Sequence, residues 1–170
     1  MKTILIILSF FCSIASFSQT PPATKTEYPL VYVDNVKSDV KQMHKIPPAD
    51  IISVTTLSGQ EGIDKVGPDG KYGVMYVQTR NFVKSRNWKY LGSKSPEYLQ
   101  AFASITDAEN AQYVLNGRLL NDNIDKTLGN LNDKNFRSVV IINQDALSKE
   151  YRVKDKKYGV IILADPRQIR

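Results

Sequence analysis

Hydrophobic and polar positions alternate along Leu30–Lys37 (LVYVDNVK) and break at the polar pair Asp34-Asn35. That pattern predicts a short edge strand running into a tight turn. Gln112–Leu120 (QYVLNGRLL) has the same shape, with Asn116-Gly117 as the stronger turn signal. Two further pairs of segments follow in the same order. Asp50–Ser58 (DIISVTTLS) is matched by Asn135–Asn143 (NFRSVVIIN), with Ser53-Val54 falling on Ser138-Val139. The tetrapeptide Lys71-Tyr72-Gly73-Val74 recurs as Lys157-Tyr158-Gly159-Val160, and each copy opens a β-prone run. Matched blocks in one order, with a spacing that drifts only slightly, predict an internal duplication. Under it, Val74 and Val77 correspond to Val160 and Leu163, and all four belong in apolar cores.

Between the strands of each copy lie short helical pieces. These are Pro47–Ile51 and Gly59–Gly67 in the first copy, and Asn123–Leu131 and Asp145–Val153 in the second. The apolar runs Val139–Ile142 and Gly159–Leu163 do not alternate, so both faces of those strands are expected to be covered. Gly73 and Gly159 suit a strand start that needs an unusual φ or a close backbone approach. Arg80–Lys94 (RNFVKSRNWKYLGSK) has basic residues, no acid, and interleaved Phe82, Trp88 and Tyr90. It reads as an inter-repeat linker in which Asn87 is an ordinary surface position. Ser95 and Pro96 then suit an N-cap and first helical residue, and Thr106–Glu109 gives a second capping signal.

Pro29, Leu30, Tyr32, Val33 and Asp34, followed by Pro48, Asp50, Ile51, Ser53 and Val54, and then by Gly73, Val74, Val77 and Thr79, form an ordered set. It resembles the plug domain of TonB-dependent outer-membrane receptors. There a PL-x-YVDG strand, a P-x-DI-x-S-I-x-V segment and an NGVI-x-I-x-T strand follow one another. The resemblance covers Pro29–Arg80, and Gln112–Ala164 is a degenerate second version. Asn35 stands where the family has Gly, and "IDKVGPDGKYGV" replaces its alanine- and glycine-rich stretch. Gln19–Glu27 (QTPPATKTE) shows no TonB-binding segment, and no receptor barrel is expected after Arg170. The resemblance therefore implies a fold and an envelope setting, and not nutrient transport. It also implies that a detached plug could dock in or beneath the mouth of an outer-membrane pore.

The expected fold class is α+β: two tandem plug-like β-α-β-α-β repeats, each a small mixed sheet with short helices. A signal peptide occupies 1–18 and a flexible N-terminal segment 19–28. The first repeat spans 29–80, a basic and aromatic linker with connecting helices 81–111, and the second repeat 112–170.

The N-terminal residues explain the envelope setting independently. Lys2, an apolar stretch and small residues before Gln19 form a secretory signal, cleaved after Ser18, with Ala15 as second choice. Ser9 and Ser13 interrupt that stretch, which is too short for a comfortable bilayer span, so the processed chain is not expected to be transmembrane. Phe11 is too large to precede a lipidated cysteine. Cys12 is the one cysteine, so the processed chain has no thiol chemistry. The formal net charge is +6, and loss of Lys2 with the signal lowers it by one. Such an excess suits anionic neighbours, but nucleic acid is a poor partner for an exported protein.

Catalytic patterns fail one by one. His44 is the sole histidine and reads as exposed, with no partner for a triad or a His-rich metal site. A G-x-S-x-G elbow is absent. Gly70-Lys71 is followed by Tyr72 and does not make a P-loop. Asp34, Asp39 and Asp50 lack the spacing of a calcium loop. No catalytic residue, cofactor or metal is therefore expected. The leading reading is a non-enzymatic binding or adaptor protein in the periplasm, or at the outer membrane or surface, of a Gram-negative cell. Its partner would be an envelope protein or outer-membrane complex. Arg80, Lys84, Arg86, Trp88, Lys89 and Tyr90 would supply a contact surface for an acidic protein, an anionic glycan or a lipid headgroup. The alternatives are a ligand- or glycan-binding module around Trp88, and a hydrolase whose carboxylates meet only in space. A cavity with two converging carboxylates would favour the enzyme, and a flat basic-aromatic patch would favour binding.

Overall fold

Strand β1 (Leu30–Val33) turns back into β2 (Val36–Ser38) through Asp34 and Asn35, whose φ angles are 52° and 67°. Asp and Asn tolerate this left-handed conformation better than other side chains do, which explains the polar pair. Residues 28–165 are described by the computed structural model; residues 1–27, on which the expected signal peptide and most of the expected flexible segment fall, and 166–170 lie outside the described residues. Helix α1 (Val40–Met43) and a 3-10 turn at Pro48–Asp50 lead to β3 (Ile51–Leu57). Helix α2 (Gly59–Val66) and a 3-10 turn at Pro68–Tyr72 lead to β4 (Val74–Thr79). The sheet order is β2-β1-β4-β3, with β1 and β4 parallel and the other pairs antiparallel.

Helices α3 (Arg80–Lys94), α4 (Pro96–Ala101) and α5 (Ile105–Glu109) connect this unit to a second one. The second unit comprises β5 (Gln112–Leu115), β6 (Arg118–Leu120), α6 (Ile124–Gly129), β7 (Phe136–Asn143), α7 (Gln144–Tyr151) and β8 (Tyr158–Ala164). Its sheet has the order β6-β5-β8-β7 with the same pairing senses. The chain is thus α+β with two tandem units of one topology.

A side-chain lock closes both units in the same way. The Asp34 carboxylate accepts the backbone N–H and the hydroxyl of Thr79, each at 2.7 Å. The Asn116 side chain accepts the N–H of Ala164 at 2.9 Å. The backbone N–H of Asp34 donates to Val77, and that of Asn116 to Ile162, both at 2.9 Å. The turn residue therefore pins the hairpin to the end of the closing strand.

The repeated tetrapeptides are not equivalent in place. Val54 pairs with Val77, and Val139 with Ile162, with a register break at Ile51/Ser53 in one sheet and Phe136/Ser138 in the other. Val77 therefore stands where Ile162 does, and Val74 where Gly159 does, which corrects the expected correspondence by one residue. Gly73 precedes its strand with φ 94°, ending the 3-10 turn. Gly159 lies inside β8, where a Cβ would come within 2.9 Å of the Ile142 and Leu147 side chains. One glycine serves a backbone angle and the other serves packing.

Val74, Val77 and Val160 are buried as expected, but Leu163 is 49% exposed. Val140 is 54% exposed, so the second sheet is not covered on both faces throughout; α7 buries Leu147 against only part of it. On the other face Val160 and Ile162 pack with Leu91, Tyr98, Phe102 and Leu128 in the main core. Burying each such side chain contributes about 1.5–3 kcal/mol.

The expected linker 80–94 is a 15-residue helix. Thr79 caps it by accepting the N–H of Phe82, and neither glycine nor proline interrupts it before Gly92. Val83, Asn87 and Leu91, one turn apart, form its buried stripe. Asn87 is accordingly buried rather than on the surface, and its amide donates to the Asp125 carbonyl at 3.0 Å. Ser95 caps α4 with Pro96 in its first turn, as predicted. The capping box of α5 uses Ser104 and Asp107, because Thr106 already lies in the first turn.

Candidate functional site

A helix advances about 100° per residue, so α3 distributes the six candidate contact residues over different sides. Arg80, Lys84 and Trp88 follow one another at four-residue spacing on one side; Arg86, Lys89 and Tyr90 lie on the other. Most of them bond within the chain. Arg80 donates to the Ala49 carbonyl at 2.9 Å and approaches the Asp125 carboxylate at 3.5 Å. Lys84 pairs with Glu109 of α5. Arg86 donates to the Gly129 carbonyl at 2.6 Å, and its burial lowers the guanidinium pKa. Trp88 donates its indole N–H to the Phe102 carbonyl at 3.1 Å. Tyr90 packs edge-on against Phe136, and burial followed by the Asp133 charge pushes its hydroxyl up to about 12. Lys89 is exposed and lines a shallow groove with Phe82, Ser85, Arg86 and Tyr90.

The first of these two sides faces a cavity of about 250 Å³ between α3, α4, α5, α6 and β5. Tyr98 and Tyr113 form its most deeply buried polar part, with their hydroxyls 3.0 Å apart. Burial raises the pKa of both, and the nearby Tyr98, Asp125 and Glu109 raise that of Tyr113 further. Both hydroxyls therefore keep their protons at neutral pH. The Lys84–Glu109 pair and Asp125 supply the charges. Burial raises the Asp125 pKa, against the pull of Lys84 and Arg80, and Glu109 adds to the rise. The Trp88 ring, Ile105, Ala108, Ile124 and Leu128 complete an apolar wall.

This lining offers hydrogen-bond donors, two carboxylates and an apolar surface. It contains no serine, threonine, cysteine or histidine, so it has no hydroxyl or thiol nucleophile paired with an imidazole base. His44 is exposed at the end of α1. Among the described residues no cluster of three His, Cys, Asp or Glu side chains could hold a metal. No helix among them is long and apolar enough to cross a membrane.

Lys84 and Trp88 are thus brought to one site with Arg80 at its edge, while Arg86, Lys89 and Tyr90 meet in a separate groove on the other side of α3. Glu109, Asp125, Tyr98 and Tyr113 carry no motif in the sequence. Their one-dimensional signal is that of ordinary surface acids and core aromatics, and only the packing of four elements joins them. A larger groove of about 770 Å³ in the first unit lies between Tyr28, Val40, Pro68 and Tyr72, with lysines and aspartates of both signs around it. Comparison of the chain with known protein families, with characterised proteins and with solved structures finds no match.

Proposed function

We propose that this chain is an exported, non-enzymatic protein of the Gram-negative envelope that works as a protein-binding adaptor. In this reading two plug-like units receive partner segments on their open strand edges. The observation that carries it is the state of β3 and β7, the longer of the two edge strands in each sheet, the other edges being the three-residue β2 and β6. Strands β3 and β7 are seven and eight residues long, and β3 has no charged residue while β7 has only Arg137. Natural edge strands are usually blunted by charges, prolines or bulges. Here the bulge lies at one end of each strand, leaving the rest regular. Val54, Thr55 and Thr56 are exposed in succession, so both faces of that stretch are open. Val140 and Leu163 form the corresponding apolar exposure on the second sheet. Such an edge can take an extended partner segment as an added strand.

Photocrosslinkers placed in living cells at Val54, Val140 and, as a control, Gln60 test this reading. Expected is one discrete envelope protein captured from Val54 or Val140, absent from Gln60, and lost from the Val54 probe when Thr56→Glu is introduced beside it or from the Val140 probe when Leu163→Glu is. Identical adducts at all three positions, or capture that survives the charged substitutions, would refute it.

A second reading, a carboxylate-dependent hydrolase, draws on Glu109 and Asp125 lining one cavity. Burial raises the Asp125 pKa while Glu109 is paired with Lys84, a division that acid–base pairs use. Turnover of chromogenic glycosides or esters by the purified chain, abolished by Asp125→Asn, would establish it over the adaptor.

A further inference from the structure

We infer that the cavity between α3, α4, α5, α6 and β5 binds a small zwitterion with an apolar body, of the class of free aliphatic α-amino acids. The site does not depend on the open strand edges. Its most deeply buried polar part calls for an acceptor. Two phenol hydroxyls carry two hydrogens, and the Tyr98–Tyr113 bond uses one of them. Among the described residues no acceptor takes the other, although Tyr98 and Tyr113 are 1% and 5% exposed and both line the cavity. A ligand carboxylate placed there takes that hydrogen. Lys84 lines the same cavity, and its ammonium has three donors, of which the Glu109 contact takes one.

A second charge is needed beside the first. The lining holds two carboxylates, Glu109 and Asp125, against the single ammonium of Lys84, and Arg80 meets Asp125 from outside the cavity. A free anion would be repelled by these acids, whereas a ligand ammonium balances them. Ile105, Ile124, Leu128 and the Trp88 ring then bury an aliphatic group. A sugar fits less well, because its hydroxyls facing that wall would be left without partners. Size agrees: about 250 Å³ lies just under the roughly 300–1,000 Å³ of pockets that hold drug-sized ligands, as a smaller ligand requires.

Trp88 is the sole tryptophan and lines the cavity, so its fluorescence reports occupancy directly. The signal-processed chain titrated with L-leucine should give a saturable fluorescence change, matched by calorimetric heat. Leucinamide, which lacks the carboxylate, and N-acetylleucine, which lacks the ammonium, should each bind at least tenfold more weakly, and glycine should give no saturable signal. Asp125→Asn and Tyr113→Phe should each weaken leucine binding at least tenfold while keeping a cooperative melt. Three results would overturn the inference: no saturable response to millimolar leucine by either readout, equal binding of leucinamide or N-acetylleucine, or undiminished leucine binding by both folded variants. Should a variant fail to fold, the ligand series decides alone.

Discussion

Replacing Asp34 separates the two contributions that make the turn a lock. The carboxylate accepts two hydrogen bonds from Thr79, and one donor is the backbone N–H at the N-cap of α3. Hydrogen bonds to charged groups contribute about 1.5–3 kcal/mol each, and the partial exposure of Asp34 favours the lower end. Loss of both is therefore worth about 2–3 kcal/mol. The backbone adds a further cost, because φ is 52° and alanine in the left-handed region costs about 1–2 kcal/mol. Asp34→Ala should thus lower stability by about 3–5 kcal/mol. Asp34→Gly, which loses the bonds but relieves the strain, should cost about 1 kcal/mol less. Asp34→Asn keeps an acceptor and the local preference, and should cost about 1 kcal/mol. Urea unfolding followed by far-ultraviolet circular dichroism measures the series. With a slope of about 2 kcal/mol/M, the alanine midpoint should fall by about 1.5–2.5 M. Running Trp88 fluorescence in parallel checks that both units unfold together. The reasoning fails if alanine and glycine are equal, or if alanine lies within about 0.5 kcal/mol of the native chain.

Val160→Asp should cost at least about 3 kcal/mol in the same assay, combining lost burial with an unpaired interior carboxylate, and Val74→Asp should be similarly severe. Leu163→Asp, at a half-exposed site, should stay within about 1 kcal/mol; a loss as large as that of Val160→Asp would restore the tetrapeptide correspondence. Asn87→Asp replaces an amide donor with a carboxylate facing the Asp125 carbonyl, and a loss of about 1–3 kcal/mol is expected where a surface site would show almost none. Asp125 has a raised pKa, so the folded state holds its proton more tightly than the unfolded state does, and that contribution is lost as pH rises through the folded pKa. Asp125→Asn should therefore melt higher than the native chain at pH 7, with the gap shrinking on acidification; a gap that widens would reverse the sign.

Much of the architecture was legible in the sequence because its cause is local. Alternation in Leu30–Val33 and Gln112–Leu115, the left-handed pairs that follow, and the matched order of later blocks depend on side-chain periodicity and turn conformation, which neighbouring residues set. Two units of one topology follow from those features alone. Register does not. A strand is aligned by its ladder and by the bulge in its neighbour, so Val77 matches Ile162 although the letters suggest Leu163. The helix at 80–94 was hidden because it packs against elements from both units, and no single apolar stripe marks it in the sequence. Its polar side chains are consumed by partners far along the chain: Arg80 by Ala49 and Asp125, Arg86 by Gly129, Asn87 by Asp125. The cavity is the extreme case. Lys84, Glu109, Asp125 and the two tyrosines come from different elements, and burial and mutual charge acquire their effect only once tertiary packing excludes water between them.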